Sequence, residues 1–381
     1  MIIFLKIAIV ILNIIYLLFK CLPTANKITM ISRQSNRINT NFKLLKDEFE
    51  KNSNYKIVVL TKKLNPGIIS KISYIFHMFK QMYHIATSKA VILDSYCITI
   101  SNLKHKKKLL IVQMWHAMGS LKKFGFSTLD SNNSVSALKK VNQTQKKNIA
   151  KALNMHKNYD YFFSSSKECL PNFAEAFGYS IDKGKIFSLP IVDLLTNDKY
   201  IKEKQKEIFK TYPELNKKKN IVYVPTHRES ESRANINMLI NAVDYEKYNL
   251  IIKPHPLTNI TNHDIKVLWD KSFSSQDMLL IADYIITDYS AIVYEASLLH
   301  KPIYFYSYDL EKYSKDTSFY IDYKKEIPGK VYKDAKKLVK DIEENNYNID
   351  RVIEFEKRYI TKSKSSTKDI VKFIKEEITK K

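Results

Sequence analysis

Residues 283–308 constrain the fold more than any other part of the chain. They begin with an apolar, β-branched run at Tyr284–Thr287, pass through the polar turn Asp288-Tyr289-Ser290 into a helix-periodic segment, and end in a second apolar run at Ile303–Tyr306. This pattern predicts strand, helix and strand in a compact βαβ unit. Ser290 is predicted as the helix N-cap, which would place free N–H groups beside a parallel strand, where a phosphate binds well. Alternatively, Ser290 only caps a buried helix.

The rest of the chain repeats this alternation of strand and helix. Helical periodicity is present at residues 68–83 and 168–177. Apolar runs predict further strands at residues 57–60, 90–93, 109–115, 160–163, 186–189, 221–224 and 250–253. Such alternation predicts an α/β fold with two doubly wound parallel sheets, and 381 residues are enough for two domains.

The predicted organisation has three parts. Residues 1–23 form an apolar membrane-associated segment, residues 24–195 an N-terminal Rossmann-like domain, and residues 196–381 a C-terminal Rossmann-like domain with closing helices. The linker is expected within residues 190–199. A Ser/Asn-rich passage at residues 127–136 is predicted to be a loop over a site.

The apolar N-terminal segment is interrupted by Lys6, Asn13 and Lys20. Its uninterrupted part is short for a spanning helix, which needs roughly 20 residues. We therefore expect a membrane anchor or a helix lying in the membrane interface, with a buried first helix as the alternative. Basic residues follow this segment, so the remainder of the protein is expected on the cytoplasmic side.

The chain is strongly basic, with 63 Lys and Arg residues against 39 Asp and Glu residues and a net charge of +24. This charge favours anionic lipid or a phosphorylated substrate as a partner. No nucleic-acid-binding motif is present, so no nucleic-acid partner is expected. The three cysteines form no C-x-x-C pair, and the chain has no H-E-x-x-H, P-loop or Gly-rich dinucleotide loop. We expect neither a metal nor a cofactor, and the sequence does not predict the oligomeric state.

Two polar stretches follow predicted strands, where open α/β sheets bind ligands. The first is W-H-A-M-G-S-L-K-K-F-G, in which the His116 imidazole is suited to accept a proton from a hydroxyl. A lone histidine is more often structural, but this one leaves a strand and precedes Gly119, Lys122 and Lys123. The second is P-T-H-R-E, which contains Thr226 and Arg228, both able to hold phosphate oxygens unless Arg228 only pairs with its neighbouring glutamate.

Two further stretches are candidates for binding an anion. In K-P-H-P, the prolines on both sides restrict the backbone of His255, so its side chain has a fixed direction, and Lys253 precedes it. The fourth stretch is the central one. Its candidate residues are Thr287, Asp288, Ser290, Ala291 and Glu295.

The order of these motifs resembles that of the CDP-glycerol glycerophosphotransferase family, the enzymes that build teichoic acids. The resemblance runs from about residue 31 to residue 329 and is closer to primase-type members than to polymerases, which tend to carry H-G-T-P-L-K. Two departures stand out. Thr317-Ser318 replaces an Arg-Gly pair, a loss for which Lys315 is the candidate substitute, and Ala291 stands where many relatives have a second Ser.

The resemblance implies a GT-B architecture, with two Rossmann-like domains, a cleft between them and no metal requirement. It also implies a reaction in which an acceptor hydroxyl attacks the β-phosphorus of CDP-glycerol, the co-substrate, and CMP leaves. His116 would be the general base, and His255, Thr287 and Ser290 would hold the pyrophosphate. Gly119, Lys122 and Lys123 would lie on the acceptor side. Arg228 and Lys253 would add anion contacts, and Glu295 would reach the ribose.

The resemblance further implies an acceptor saccharide linked to a polyprenyl diphosphate, and hence a protein on the cytoplasmic face of the membrane. An apolar segment and a basic surface together bind an anionic leaflet better than either alone. Two alternatives remain open. One is a GT-B nucleotide-sugar glycosyltransferase of surface polysaccharide synthesis, and the other is a non-catalytic protein that binds anionic polymers.

Overall fold

The computed structural model describes residues 2–129, 143–226, 232–254 and 266–381. The chain forms two compact units. The first comprises residues up to 118, residues 123–191 and residues 361–381, and the second comprises residues 119–122 and 192–360. The domain boundaries inferred from the sequence stay predictions. The two compact units differ from the predicted domains, because residues 119–122 belong to the second unit and residues 361–381 to the first.

The first unit contains a six-stranded parallel sheet with the strand order β2-β1-β3-β4-β5-β6. Its strands are β1 Lys27–Ser32, β2 Lys56–Thr61, β3 Ala90–Leu93, β4 Leu110–Gln113, β5 Tyr161–Ser164 and β6 Gly184–Ile186. Its helices are α1 Ile2–Lys20, α2 Thr40–Asn52, α3 Ile68–Ala86, α4 Ile98–Asn102, α5 Gln143–Ala152 and α6 Leu170–Phe177, with α16 Ser366–Lys380 from the end of the chain. Short 3-10 turns occupy Gly125–Thr128 and Ile181–Lys183.

The second unit contains another six-stranded parallel sheet, with the order β12-β11-β10-β7-β8-β9. Its strands are β7 Lys219–Tyr223, β8 Tyr248–Ile252, β9 Val267–Trp269, β10 Tyr284–Thr287, β11 Ile303–Tyr306 and β12 Val331–Tyr332. Its helices are α8 Asp198–Thr211, α9 Ser232–Ala242, α10 Ser275–Leu280, α11 Ile292–Ser297, α12 Leu310–Asp316, α13 Tyr323–Glu326, α14 Ala335–Glu343 and α15 Ile349–Tyr359. Helix α7, Ile191–Leu195, begins at the last residue of the first unit, and a 3-10 turn occupies Pro213–Asn216.

Both sheets reverse their strand order at one point. The reversal lies between β1 and β3 in the first sheet and between β7 and β10 in the second. The second sheet has the 3-2-1-4-5-6 order of a Rossmann fold, and the first has the order of its flavodoxin-like relative extended by one strand. In such sheets ligands bind beyond the carboxyl ends of the strands at the reversal. The topology therefore predicts ligand sites in the loops that follow β1, β3, β7 and β10.

The α/β class and the two doubly wound sheets confirm the fold predicted from the sequence. The strands expected at residues 90–93, 284–287 and 303–306 coincide with β3, β10 and β11. All three are fully buried four-residue runs, which explains their continuous apolar sequence. Strand β1 and the short strands β9 and β12 were not predicted, and the expected linker at 190–199 contains α7 and the start of α8.

Helix α1 is not part of the core. Its side chains Phe4, Val10, Ile14 and Leu18 are all more than half exposed, so the alternative of a buried first helix is wrong. By length and composition this helix could cross a membrane. Two residues near its middle make hydrogen bonds to the rest of the first unit. Asn13 donates to the backbone oxygen of Asn102 at 2.9 Å, and the Tyr16 hydroxyl lies 3.0 Å from His105 Nδ1.

The second unit offers a direct test of its core. Leu338 on α14 is fully buried in the hydrophobic cluster that covers β7, β8, β10 and β11. Leu338→Ala should lower the free energy of unfolding by about 2–5 kcal/mol, measured by urea denaturation. Lys340→Ala is the matched control on the same helix, because Lys340 is 70% exposed, and it should cost less than about 0.5 kcal/mol. Equal effects of the two changes would contradict the burial of Leu338.

Candidate functional site

A strained turn positions His116 in the first unit. Strand β4 ends at Gln113, and two residues later Trp115 adopts a φ of 64°, which is rare for a residue with a large side chain. The Trp115 N–H donates to Gln113 Oε1 at 3.0 Å, and its ring stacks on Phe124 with centroids 4.7 Å apart. The Trp115 and His116 rings lie 4.3 Å apart. These contacts turn the chain sharply and fix the direction of His116.

The hydrogen bonds of His116 define which nitrogen carries its proton. Its Nδ1 lies 2.9 Å from the backbone oxygen of Asp94 and 3.2 Å from the Gln34 amide nitrogen. The carbonyl is the nearer contact and only accepts, so Nδ1 carries the hydrogen and Nε2 keeps its lone pair. The Gln34 amide is then oriented with its oxygen, in place of the nitrogen, toward Nδ1, because an amide nitrogen only donates. The residue reaches solvent, yet the surrounding protein desolvates the imidazole and lowers its pKa, which the Asp94 carbonyl partly opposes. Among the described residues Nε2 has no partner, so a neutral imidazole is available to accept a proton.

Polar residues that the sequence analysis missed surround His116. The Asp94 carboxyl is 1% exposed and accepts from Asn39 Nδ2 at 2.8 Å, while its Oδ1 has no hydrogen-bond partner in the described part of the chain. Burial raises the pKa of Asp94 to about 6, although Ser32, Ser95 and Asn39 act in the opposite direction. A nearby guanidinium, that of Arg33, donates to the Tyr96 carbonyl at 3.1 Å. Only the strand order could have identified Arg33 and Asp94 as candidate site residues, because they follow β1 and β3 at the point where that order reverses.

In the second unit, Asp288 joins the loops that follow β7 and β10. Its buried carboxylate accepts from the Thr226 backbone N–H at 2.9 and 3.1 Å and from the Thr226 hydroxyl at 2.6 Å. The buried Thr287 hydroxyl donates to the Val224 carbonyl at 3.0 Å. Thr226, Thr287 and Asp288 thus lie together beyond β7 and β10; their role in donor binding stays a prediction. The contacts of Asp288 order the Thr226 turn, and a direct phosphate contact by this carboxylate stays a prediction.

An aromatic cluster supports the turn after β10 from behind. Tyr289 stacks on Tyr313 with centroids 3.8 Å apart and donates to Asp309 Oδ1 at 2.9 Å. Phe319 and Tyr323 pack against the same ring, and the Tyr323 hydroxyl donates to the Asp288 carbonyl at 3.1 Å. Aromatic residues from positions 319–323 thus pack against the turn that follows β10.

Ser290 and Ala291 are the exposed part of this turn. Between residues 284 and 298 they alone are not buried, and both are half-buried, so they are the part of the turn that a ligand could reach. The prediction of Ser290 as the N-cap is wrong by one residue, because α11 begins at Ile292 and its cap is Ala291, without a side-chain hydrogen bond. The Ser290 hydroxyl still lies 3.4 Å from the Ile292 nitrogen. The turn after β10 is thus one residue longer than predicted, and the helix begins after Ala291.

Glu295 lies within α11 and is 6% exposed. Burial raises its pKa to about 7, which a hydrogen bond with Gln276 partly opposes. Its Oε2 has no hydrogen-bond partner among the described residues. Buried polar atoms normally have a partner, so this oxygen is a candidate to bind a ligand hydroxyl.

The predicted acceptor residues Gly119 and Lys122 lie in the second unit. A Cβ on Gly119 would approach the Tyr294 ring to 2.2 Å, so a larger residue does not fit there. The backbone of Lys122 pairs with Phe319, and its ammonium donates to the Tyr313 hydroxyl at 3.2 Å. Lys123 belongs to the first unit and is half-buried. A contact of these three residues with the acceptor stays a prediction.

The Lys253 ammonium is bound by other residues of the second unit. Its ammonium donates to Asp270 Oδ2 at 2.7 Å, to the Asp270 carbonyl at 3.0 Å and to the Phe273 carbonyl at 2.6 Å. An ammonium has three donors, and here all three are used. The predicted anion contact of Lys253 therefore competes with a buried ion pair. The predicted site residues Arg228 and His255 lie outside the described residues.

The described residues contain no group of three or more His, Cys, Asp or Glu side chains that could hold a metal. The metal-free and cofactor-free site expected from the sequence stays a prediction.

Comparisons with known proteins support one family. The model of the CDP-Glycerol:Poly(glycerophosphate) glycerophosphotransferase family matches residues 14–376. The chain is 30% identical over 358 residues to the teichoic acid ribitol-phosphate primase of Bacillus spizizenii, covering 91% of this chain and 90% of that protein. It is 31% identical over 309 residues to the teichoic acid glycerol-phosphate primase of Bacillus subtilis, covering 78% and 76%.

The fold is also similar to solved structures. The wall teichoic acid polymerase TagF superposes with a TM-score of 0.74 at 19% identity, covering 98% of this chain and 96% of that one. At this identity the likeness shows the fold alone. It is the GT-B fold expected from the sequence.

Asp94→Asn tests the effect of burial on the Asp94 carboxyl. Its folded-state pKa of about 6 exceeds the ordinary 3.8, so the folded protein holds this proton more tightly than the unfolded chain. The contribution of Asp94 to stability is therefore greatest below the lower value, falls as the pH rises between the two, and levels off above the higher one. A gap of about two pH units corresponds to about 3 kcal/mol. Measured by urea denaturation, the free energy of unfolding of Asp94→Asn relative to that of the wild type should rise by about 3 kcal/mol between about pH 4 and pH 7. A difference between the two proteins that does not change with pH would contradict the raised pKa.

Lys253→Met separates a structural role from a ligand-binding role. Removing the ammonium leaves the buried Asp270 carboxylate without its ion partner, so unfolding should become easier by about 3–5 kcal/mol. Lys271→Met is the control, because Lys271 is the exposed neighbour of Asp270 in sequence, and it should change stability by less than about 0.5 kcal/mol. Unchanged stability of Lys253→Met would show that the ion pair is unimportant.

Proposed function

We propose, because this chain belongs to the CDP-Glycerol:Poly(glycerophosphate) glycerophosphotransferase family, that it transfers an alditol phosphate from a CDP-alditol to a hydroxyl of a polyprenyl-diphosphate-linked saccharide and releases CMP. The chain is a transferase of teichoic acid synthesis that uses a CDP-alditol donor. The acceptor and the released nucleotide are the proposed part.

The observation that carries the chemistry is the hydrogen bond of His116 Nδ1 to the Asp94 carbonyl. It fixes the tautomer in which Nε2 is a base, and the lowered pKa keeps that base neutral at physiological pH. His116 Nε2 takes the proton of the acceptor hydroxyl as its oxygen attacks the β-phosphorus. A new P–O bond forms, the bond from the β-phosphorus to the bridging oxygen breaks, and CMP leaves with that oxygen and its electron pair.

The second unit supplies the donor site in this proposal. The half-buried turn residues Ser290 and Ala291, after a buried parallel strand, suit the pyrophosphate. Arg228 and His255 remain the proposed charged contacts to its oxygens. Glu295 is proposed to bind the ribose, since a hydroxyl of the sugar would satisfy the unpartnered Oε2. Phosphoryl transfer depends mainly on positioning and electrostatics, so one base and several donors suffice.

The alditol is the least determined part. Primases named for ribitol phosphate and for glycerol phosphate match this chain at 30% and 31% identity. The glycerol donor expected from the sequence therefore stays a prediction. Purified protein should be assayed with CDP-glycerol, CDP-ribitol and UDP-sugars on a synthetic lipid-linked acceptor, with mass spectrometry of the product. Turnover with UDP-sugars alone would favour the nucleotide-sugar glycosyltransferase and refute the proposal.

We also propose that the protein works at the cytoplasmic face of the membrane. The support is the exposed apolar surface of α1 together with the net charge of +24. Apolar burial and attraction to anionic lipid reinforce each other.

His116→Ala should reduce kcat by about 10²–10⁴-fold, the usual contribution of a general base. The Kd for the donor should change less than about twofold, because the proposed donor contacts lie on other residues. His77→Ala is the control, since His77 is half-buried on α3 and lies in neither candidate site, and its kcat should remain that of the wild type. Normal turnover in His116→Ala combined with weakened donor binding would refute the role of His116 as the base.

The pH profile gives an independent test. A base whose pKa is lowered from 6.5 loses activity only when the pH falls below that value. We expect kcat/KM to be constant from about pH 7 upward and to fall on the acid side. The same acid limb should persist in Asp94→Asn, because Asp94 titrates separately at about 6. Loss of the limb in that variant would assign it to Asp94.

A further inference from the structure

Gln113 carries a fully buried amide at the end of β4. Its Nε2 lies 3.2 Å from the Ser95 carbonyl and 3.1 Å from the Tyr159 hydroxyl. Because the carbonyl only accepts, the end of the amide that faces it is the nitrogen, and the oxygen is the end that accepts from the Trp115 N–H. The hydrogen bonds thus assign the orientation of this side chain.

The directions of the hydrogen bonds continue from Gln113 to a buried histidine. Gln113 Nε2 donates to the Tyr159 oxygen, which leaves the Tyr159 hydrogen to point at His156 Nδ1, 3.1 Å away. Burial raises the pKa of Tyr159 well above its ordinary value, so the hydroxyl keeps this hydrogen. Burial also lowers the pKa of His156 to about 3, so this imidazole is neutral. Gln113, Trp115, Tyr159 and His156 together form the buried network.

The far end of the buried network also contacts the Trp115 ring. His156 and Phe177 meet that ring edge to face, with centroids 6.2 and 5.4 Å away. His156 has a φ of 59°, so two residues whose rings meet both adopt the left-handed conformation. The loop that carries His156 is itself anchored, because Asn158 Nδ2 donates to the Ile100 carbonyl at 2.8 Å. Backbone strain of this kind persists only where surrounding contacts enforce it.

The end of β3 and the residues after it hold the same turn from the other side. Three consecutive carbonyls, those of residues 93–95, accept from the Met114 N–H at 2.7 Å, from His116 Nδ1 at 2.9 Å and from Gln113 Nε2 at 3.2 Å. Strand β3 lies inside the sheet, where the backbone is most stable, so these carbonyls have fixed positions. The middle carbonyl orients the His116 ring, and the last one orients the amide that holds Trp115.

We propose that Gln113 and Tyr159 are positioning residues for the general base. Through Trp115 they hold the turn in the conformation in which His116 Nε2 meets the acceptor hydroxyl. The inference rests on the proposed role of His116 in the transfer reaction. Gln113 and Tyr159 are 0% and 2% exposed, so neither contacts a substrate and both act through the histidine. Displacement of a reacting group by about 1 Å can cost about 10²-fold in rate, which gives a buried network beside a base its use.

Tyr159→Phe is the first test, because it removes one oxygen atom and keeps the ring. Gln113 Nε2 then loses one of its two acceptors, and Trp115 is held less firmly. We expect kcat to fall by about fivefold to tenfold. The Kd for the donor should change less than about twofold, because the proposed donor contacts lie on other residues.

Tyr179→Phe is the matched control. Tyr179 stacks on Tyr159 with centroids 5.8 Å apart, and its hydroxyl accepts from the Tyr159 backbone N–H at 2.8 Å. The change therefore removes a hydroxyl from the same cluster but outside the buried network, and kcat should stay within about twofold of the wild type. Equal losses of kcat in the two variants would overturn the proposal in favour of a general effect on the fold.

A double variant tests whether Tyr159 acts through His116. Tyr159→Phe is introduced into His116→Ala, and the residual kcat is measured. Residues that act as a unit are not additive, so the second change should alter this residual rate by less than about twofold. The same loss of kcat in both backgrounds would show that Tyr159 supports only the fold and would overturn the proposal.

Nuclear magnetic resonance of the protein with isotopically labelled histidine side chains examines the turn without donor or acceptor. In the wild type, the His116 signals, assigned by their loss in His116→Ala, should report one tautomer with its hydrogen on Nδ1. Tyr159→Phe and Gln113→Met should give a mixture of tautomers, because a loosened turn weakens the bond to the Asp94 carbonyl. Tyr179→Phe should give the wild-type signals. Unchanged His116 signals in both network variants would overturn the proposal.

The resonance experiment also distinguishes this proposal from the transfer reaction on which it rests. Mixed tautomers in Tyr159→Phe, together with no turnover of any donor by the wild type, would refute the reaction and still support the positioning of His116. Turnover by the wild type, with the same kcat and the same His116 signals in Tyr159→Phe, would leave the reaction in place and overturn the positioning.

Discussion

The hydrogen bonds between the Asp288 carboxylate and Thr226 are the interaction on which the candidate donor site depends. Asp288 is fully buried, and a buried carboxylate is tolerated only when donors surround it. Thr226 supplies two of those donors from the loop after β7. The bonds therefore hold together the loops of the two strands at which the sheet order reverses. With the aromatic ring of Tyr289 anchored behind the turn, Ser290 and Ala291 are left as its accessible part.

The first unit applies the same topological rule with different chemistry. Its reversal point places Asp94 beside the turn that carries His116, and the Asp94 backbone, not its side chain, orients the imidazole. The left-handed conformation of Trp115 costs free energy, which the stacking on Phe124 helps to offset. Backbone strain next to a base with a free nitrogen is typical of a site where direction matters more than stability. Each unit thus contributes one polar site at the carboxyl edge of its sheet.

Sequence analysis captured what depends on local pattern. Strand β10 was placed correctly because buried parallel strands are continuous apolar runs. His116 does follow a strand, but β4 ends at Gln113, two residues before the predicted end. Sequence analysis failed where the decisive contact joins residues far apart in sequence, and where a helix boundary had to be placed to the exact residue. The ion pair of Lys253 with Asp270 joins residues that are 17 positions apart in sequence, and no periodic pattern predicts it. Asp94 has no motif of its own and becomes notable only once the strand order is known. The cap of α11 moved by one residue, within the usual uncertainty of helix ends.

The central claim is that the donor binds beyond β7 and β10. Hydrogen–deuterium exchange with and without saturating CDP-glycerol, and again with CDP-ribitol, measures this directly. The account predicts slower exchange of amides in residues 224–226 and 288–293 with the donor that is used, and unchanged exchange at residues 32–34 and 94–96. Protection confined to residues of the first unit, or no protection with either nucleotide, would contradict it.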